Sequence, residues 1–196
     1  MKKSNIIMLI AALLPLGLFI FPLWKITLEA PQYPTPLGMY IHINDFSDVN
    51  PHDIKNINLM NHYVGMKYIP EAIPEFKIFP MGILITTIIG LIIAFKGNYK
   101  WFLYWFILMI VLSTAGLYDF YLWEHDYGHD LDPKAIMKFT NPDGSVMGFQ
   151  PPLFGSKRIL NFVAHSYPRL GAYFLGLGML TALIAYKVGK KDYKKA

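Results

Sequence analysis

The sequence predicts an all-α integral membrane protein. The expected fold is a four-helix transmembrane bundle, capped on its outer side by two loops of about 50 residues that mix short helix and strand. Hydrophobic residues make up 54% of the 196 residues and charged residues only 16%, whereas soluble domains carry about 25% charged residues. The other two observations behind this prediction are four long apolar stretches and a concentration of nine lysines in short segments that contain no histidine.

Four stretches are long and apolar enough to cross a bilayer, which takes about 17–25 residues. They are residues 6–24, 78–95, 101–118 and 170–186, and none contains a charged residue. Trp24, Trp101 and Tyr186 stand at their ends, where aromatic side chains favour the membrane interface. The first stretch follows two lysines as a signal peptide would. Its apolar run is too long for one, and we expect an uncleaved anchor.

The last stretch has small residues four positions apart, Ala172 with Gly176 and Gly178 with Ala182. Such pairs let helices approach closely. One interpretation is a seam inside the bundle. The other is a contact between two copies of the chain, which would make a homo-oligomer.

Most of the lysine lies in the short segments outside these stretches. Residues 1–4, 96–100 and 187–196 hold nine lysines and one acid, while the rest of the chain holds nine basic and twelve acidic residues. Lysine-rich loops stay in the cytoplasm, so we expect both termini there and segments 25–77 and 119–169 outside. The net charge of +5 therefore reflects orientation beside lipid headgroups and does not indicate nucleic-acid binding.

The residue types argue against several classes of function. Without cysteine there is no disulfide, Cys-based zinc site, iron–sulfur cluster or c-type haem. All six histidines lie outside the apolar stretches, so we expect no haem held within the membrane. The stretches also lack the charged residues that pumps and transporters use. No serine-triad order, phosphate loop or H-E-x-x-H motif indicates an enzyme.

Two pairs of residues predict a copper site on the outer side. His62 and Met66 are four residues apart, one turn of a helix, and a thioether beside an imidazole suits copper. His125 and His129 have the same spacing just beyond the third span. We expect these four side chains to be the ligands. The alternative for the first pair is a helix-cap histidine and a core methionine.

Residues 123–133 hold two histidines and four carboxylates. Glu124, Asp126 and Asp130 are candidates for the carboxylates that orient the imidazole rings. Gly128 weakens the helix on which the histidine spacing depends. The alternative interpretation is therefore a polar collar where the third helix leaves the membrane.

The outer segments should pack together as one cap. We expect a strand at 38–43, a helix at 53–66, two short strands at 135–140 and 145–150, and an amphipathic piece at 157–164. Gln150, Pro151 and Pro152 form a rigid extended stretch that is a candidate docking surface for another protein. A plain structural loop is the alternative.

Four segments resemble a family of small bacterial inner-membrane proteins. They are residues 24–34 (WKITLEAPQYP), 59–66 (LMNHYVGM), 124–133 (EHDYGHDLDP) and 150–162 (QPPLFGSKRILNF). The family has four spans and is encoded beside nitrous oxide reductase in clade II type clusters of Bacteroidetes-like bacteria. The resemblance covers nearly the whole chain and carries no enzymatic activity.

The resemblance implies an accessory of periplasmic nitrous oxide reduction in the inner membrane. It would handle copper for the periplasmic copper enzyme, or support that enzyme or its maturation and electron-transfer proteins. Copper is the expected cofactor, and haem and iron–sulfur clusters are not expected. Two alternatives stay open: an anchor or scaffold without metal that docks the reductase or its electron donor, and a quinol-linked electron-transfer subunit.

Overall fold

A layer of helices and an antiparallel sheet at one end of it make up the fold, in a computed structural model that describes residues 2–195. The helices are α1 (Lys3–Leu13), α2 (Asp53–Val64), α3 (Glu75–Lys96), α4 (Tyr99–His129) and α5 (Leu170–Lys195). The strands are β1 (Trp24–Glu29), β2 (Leu37–Ile41), β3 (Phe46–Asp48), β4 (Gly155–Ile159) and β5 (Phe162–Pro168). The helix layer consists of α1, α3, α4 and α5, whereas α2 packs on the sheet.

The prediction of a four-helix transmembrane bundle is wrong. In the described part of the chain three helices, α3, α4 and α5, are long and apolar enough to span a membrane. The stretch 6–24 is not a fourth: α1 ends at Leu13 and continues as a 3-10 helix over Leu14–Phe19. Pro15 lies at the start of that 3-10 helix, where it lacks the N–H that an α-helix would use. Trp24, expected to end a span, begins β1 instead.

The prediction that two loops form the cap is also wrong, because the two outer segments form one five-stranded sheet of order β3-β2-β1-β5-β4. β1 pairs with β5 from Trp24 opposite Pro168 to Glu29 opposite Val163. The sequence WKITLE alternates apolar and polar residues with the period of a strand. The long apolar stretch before it hides this pattern. The segments 25–77 and 119–169 therefore meet, as expected, through hydrogen-bonded strands.

The expected elements within the outer segments hold in part. The strand at 38–43 is β2 and the helix at 53–66 is α2, which ends two residues early. The strands at 135–140 and 145–150 reduce to a single bridge between Thr140 and Val146. The amphipathic piece at 157–164 is the hairpin of β4 and β5.

In their uncharged stretches, the helices of the helix layer are held together by close packing. Trp105 of α4 is 1% exposed, and its indole N–H donates to the Thr86 carbonyl oxygen of α3 at 2.8 Å. A Cβ atom on Gly90 would lie 2.7 Å from the Cβ of Ala12 and 2.9 Å from the indole nitrogen of Trp105. Glycine at this position therefore lets α1, α3 and α4 approach one another.

The lysine-rich segments gather at the end of the helices opposite the sheet. A Cβ atom on Gly97, in the turn between α3 and α4, would touch Asn5 of α1. The ring of Tyr99 lies 5.9 Å from that of Tyr186 and 5.5 Å from that of Tyr193, both on α5. The start of α1, the α3–α4 turn and the end of α5 are thus neighbours. Met1 and Ala196, within the predicted cytoplasmic segments, lie outside the described residues.

Candidate functional site

The last turns of α4 extend beyond the uncharged, apolar part of the helix. The helix has 31 residues and is about 46 Å long, whereas the apolar core of a bilayer is about 30 Å thick. Its run without charged residues goes from Trp101 to Tyr118, and Asp119 ends it. Phe120 and Trp123 pack against the apolar cluster of the sheet. The end of α4 therefore belongs to the sheet layer.

The helix continues through Gly128, where the absence of a side chain allows a close contact with Gln150. A Cβ atom at this position would lie 2.5 Å from the backbone nitrogen of Gln150 and 2.6 Å from its Cα. The N–H of Phe149 donates to the Gly128 carbonyl oxygen at 2.8 Å. The missing side chain lets the segment around residue 150 lie directly against α4, and the helical spacing of the histidines is kept.

His125 and His129 form a stacked pair on the exposed side of α4. Their ring centroids are 4.2 Å apart and their planes differ by 18°. The Nδ1 atom of His129 lies 3.0 Å from the His125 carbonyl oxygen. That carbonyl only accepts, so Nδ1 is the protonated nitrogen, and the lone pair of a neutral ring is then on Nε2, beside Gly148. The donor set fits a transition metal such as copper.

Asp126 and Asp130 lie on a neighbouring side of the same turns and bind a lysine. The Lys67 ammonium donates to Asp126 at 3.0 Å and lies 2.7 Å from Asp130. Hydrogen bonds from Asp130 and then Asp126 raise the pKa of Lys67 to about 12. The two carboxylates expected to orient the histidines therefore tie the loop after α2 to the end of α4.

His62 and Met66 do not share a helical face, because α2 ends between them. Gly65 adopts φ 81°, and the N–H of Met66 donates to the Asn61 carbonyl oxygen at 2.9 Å, which is the glycine-terminated helix end known as a Schellman motif. His62 is exposed and stacks on Tyr68, with centroids 6.1 Å apart. Met66 packs against the apolar cluster around Val64. Both residues line a groove of about 450 Å³ that also includes Asp130.

The candidate docking residues Gln150, Pro151 and Pro152 are half-buried. Gln150 lies against Gly128, and its carbonyl oxygen accepts from the Lys157 ammonium at 3.2 Å. Pro151 lines a cavity. One side of the segment thus packs against the end of α4, and the other side stays accessible to solvent.

That cavity has a volume of about 590 Å³ and lies between the sheet, α2 and the end of α4. Small-molecule sites in proteins have volumes of about 300–1,000 Å³. Most of its lining is apolar, and it includes four methionines and six aromatic residues among the 22 residues around it. The methionines are Met39, Met60, Met66 and Met137.

Glu124 faces this cavity from α4, one residue before the exposed His125. Its residue exposure is 1%, and within residues 2–195 neither carboxyl oxygen has a hydrogen-bond partner. An unsatisfied buried polar group costs about 1–3 kcal/mol, and more if it is charged. The sequence placed Glu124 beside the histidines, but the helix turns it away from them into an apolar space.

A further cluster joins three strands and was not predicted from the sequence. The hydroxyl oxygen of Ser156 lies 2.6 Å from Nδ1 of His165, whose Nε2 is 3.3 Å from Glu29. The three residues lie on β4, β5 and β1, and none lines the cavity or the groove described above. Only strand register brings them together, so spacing along the chain gave no signal for the cluster.

The fold places this chain in a structural class: within the described residues, three helices are long and apolar enough to span a membrane, and a five-stranded sheet lies at one end of them. No group of three or more His, Asp or Glu side chains arranged for a metal ion occurs among the residues that the structure describes. A scan of the chain against protein-family models, curated proteins and solved structures gives no match.

Proposed function

We propose that this chain is an accessory membrane protein of periplasmic nitrous oxide reduction that handles copper at its sheet layer, with His125 and His129 as ligands. The stacked pair carries the proposal, because its rings are 4.2 Å apart and His129 holds its proton on Nδ1. Copper–nitrogen bonds are about 2 Å long, as for zinc, so one ion could bind both rings once a ring turns its nitrogen toward it.

Two imidazoles suit transfer of a metal better than its storage. They leave coordination positions open for the ligands of a partner, whereas a closed site of four ligands would retain the ion. The ring planes are nearly parallel, so joint binding requires at least one ring to turn about its χ2 bond. Both rings are exposed, which makes that rotation inexpensive. His62 and Met66 line the neighbouring groove as a second pair of candidate ligands.

The proposed orientation places the lysine-rich end in the cytoplasm and the sheet layer in the periplasm. Clustering of the start of α1, the α3–α4 turn and the end of α5 supports it, since lysine-rich segments stay inside. α3, α4 and α5 would then lie in the bacterial inner membrane, and α1, which packs on α3 and α5, would run beside them from the lysine-rich end toward β1. All six histidines would then face the compartment of the copper enzyme.

The nitrous oxide pathway enters through the resemblance, and three of the resembling segments pack together around the end of α4. The Asp132 N–H donates to the Gly65 carbonyl oxygen at 2.8 Å, which joins segment 59–66 to segment 124–133. Gln150 of the third segment lies against Gly128. A shared surface made by the three distinctive segments supports a common role for them.

Titration with copper(I), against a competing chelator, tests the proposal on the full-length protein in detergent. We expect His125→Ala/His129→Ala to weaken binding about tenfold or more, since even the residues that orient metal ligands are typically worth about 10–100-fold. Binding should also weaken as pH falls, because only an unprotonated imidazole nitrogen binds a metal.

The matched control is His52→Asn, which removes another exposed imidazole. His52 has φ 71°, a conformation that asparagine tolerates well. This variant should bind copper like the unmodified protein. Equal copper affinity of the double variant and the unmodified protein would refute the proposal. A loss seen only in His62→Ala/Met66→Leu would move the site to the groove.

A scaffold that docks the reductase or its electron donor is the second candidate function. Exposed apolar side chains in the sheet layer favour it, notably Ile136, Val146 and Phe154, which are 65%, 70% and 65% exposed. Co-purification with the reductase that survives in His125→Ala/His129→Ala would favour the scaffold over copper handling.

A further inference from the structure

The cavity between the sheet, α2 and α4 has one polar group that the fold leaves unused. Glu124 is buried, and no donor or acceptor of residues 2–195 lies within hydrogen-bond distance of its carboxyl oxygens. Buried polar groups in proteins are nearly always hydrogen-bonded. A partner from outside the chain accounts for this carboxyl group, and the cavity of about 590 Å³ in front of it has room for a molecule of substantial size.

Three of the five other polar side chains around the cavity are already engaged, and the remaining two, Tyr63 and Asn161, are exposed to solvent. The amide nitrogen of Asn61 donates to the Lys67 carbonyl oxygen at 3.2 Å, and the Tyr127 hydroxyl to the Tyr68 carbonyl oxygen at 3.0 Å. The amide nitrogen of Gln32 lies 3.7 Å from the sulfur of Met60. Glu124 is therefore the buried polar group of the lining that is free to select a ligand by hydrogen bonding.

The lining determines the chemistry of that ligand. No lysine or arginine lines the cavity within the described chain, so a phosphate or carboxylate would lack a counter-charge and would face Glu124. Aromatic side chains such as Trp123, Phe139 and Phe149 line it instead, with four methionines. Flat rings stack on aromatic side chains, and thioethers make favourable contacts with ring edges. This lining fits a neutral ring compound.

We propose that this cavity binds a neutral, membrane-soluble ring compound that carries a carbonyl or hydroxyl oxygen, the chemistry of a quinone or quinol, and that Glu124 is its hydrogen-bond partner. A protonated Glu124 donates to a quinone carbonyl, and an ionised Glu124 accepts from a quinol hydroxyl. Tyr118, the last residue of the uncharged run of α4, is six residues before Glu124, about 9 Å along the helix. The cavity therefore lies close to the apolar part of α4, where a lipid-soluble ligand would be concentrated.

The test uses the full-length protein in detergent micelles and menadione, a small naphthoquinone. Binding is followed by quenching of tryptophan fluorescence, since Trp123 lines the cavity, and by the shift in melting temperature, with empty micelles correcting for partition. The unmodified protein should bind and be stabilised. Glu124→Leu, which fills a similar volume without a polar group, should bind about tenfold more weakly, the equivalent of about 1.4 kcal/mol.

Two variants separate the ligand site from other effects. Asp126→Asn changes an exposed carboxylate two residues away and should leave menadione binding unchanged. Met60→Trp fills the cavity from α2 and should abolish binding even though Glu124 is intact. A cooperative melting transition shows that each variant is folded.

Three results would overturn this inference. The first is no saturable binding of menadione by the unmodified protein, and the second is equal affinity of Glu124→Leu. The third is copper(I) binding that is lost in Met60→Trp, which would show that the methionines hold a metal there. Because the inference goes beyond the proposed copper function, His125→Ala/His129→Ala should bind menadione normally, and either idea can fail alone.

Discussion

Two sides of the same helix end differ in what surrounds their ionisable groups. On one side of the last turns of α4, His125, His129 and Asp126 face solvent. On the other side, Glu124 is 1% exposed and lies against an apolar cavity, and Gly128 is buried against Gln150. On the exposed side, the carboxylate of Asp126 pairs with the Lys67 ammonium. The buried side has a carboxyl group that no protein atom within residues 2–195 satisfies.

The difference shows that the surroundings of each charged side chain in such a run depend on its position around the helix and not on its neighbours in sequence. The letters EHDYGHD look like one polar cluster. A rotation of about 100° per residue sends neighbouring side chains to different surroundings. A metal site is accordingly expected on the exposed side, and binding of an apolar molecule on the buried side.

The largest effect should come from Gly128→Val, which would force the buried side apart. Its Cβ would lie 2.5 Å from the Gln150 backbone nitrogen, and such overpacking costs up to about 3 kcal/mol. We expect a clear fall in melting temperature. Gly116→Val is the matched control on α4, since a Cβ there meets nothing within 4 Å. Equal melting temperatures of the two variants would contradict the close approach.

A smaller effect of opposite sign is expected for Glu124→Leu. Removing an unsatisfied buried carboxyl group should stabilise the ligand-free protein by about 1–3 kcal/mol. The measurement is chemical or thermal unfolding in detergent, without added quinone. Asp126→Asn, on the exposed side, should change stability little, because exposed ion pairs contribute little. A destabilised Glu124→Leu would mean that the carboxyl group has a partner in the folded chain.

The smallest effect should follow Lys67→Met, which removes the link between Asp126, Asp130 and the loop after α2. The side chains are half-exposed, so we expect a slight loss of stability that disappears at high salt. The raised pKa of Lys67, about 12, means that the lysine contribution is fully present below pH 10.5 and is lost only as the pH rises through 12. A salt-insensitive loss would point to packing instead of charge.

Much of the helix layer could be predicted from sequence, because membrane helices need long uncharged stretches. The stretches at 78–95, 101–118 and 170–186 lie inside α3, α4 and α5. The stretch at 6–24 was wrongly predicted to be a membrane span. Its apolar run extends to Leu23 and Trp24, but the alternation of apolar and polar residues in WKITLE indicates that a strand begins at Trp24. The sheet was missed because its central pair joins residues about 140 positions apart, and pairing at that range leaves no local pattern.

The candidate site was predictable where helical spacing applied. His125 and His129 are stacked as their spacing predicts, whereas Gly65 ends α2 before Met66 and breaks the second pair. A glycine near the end of an apolar helix is a recognisable stop signal, so that break had a signal in the sequence. The unsatisfied Glu124 had none, because burial of one side of α4 depends on strands and loops from distant parts of the chain.

The pairing of β1 with β5 has a consequence for synthesis. The strand at Trp24–Glu29 is made early, and its partner at Phe162–Pro168 follows only after α3 and α4. Until then one edge of β1 stays open, and open edges invite pairing with other chains. Chains are made at about 5–20 residues per second, so β1 waits about 7–28 seconds for its neighbour. Assembly of the sheet is thus a late event in biogenesis, and truncation before residue 162 would leave β1 with an exposed edge.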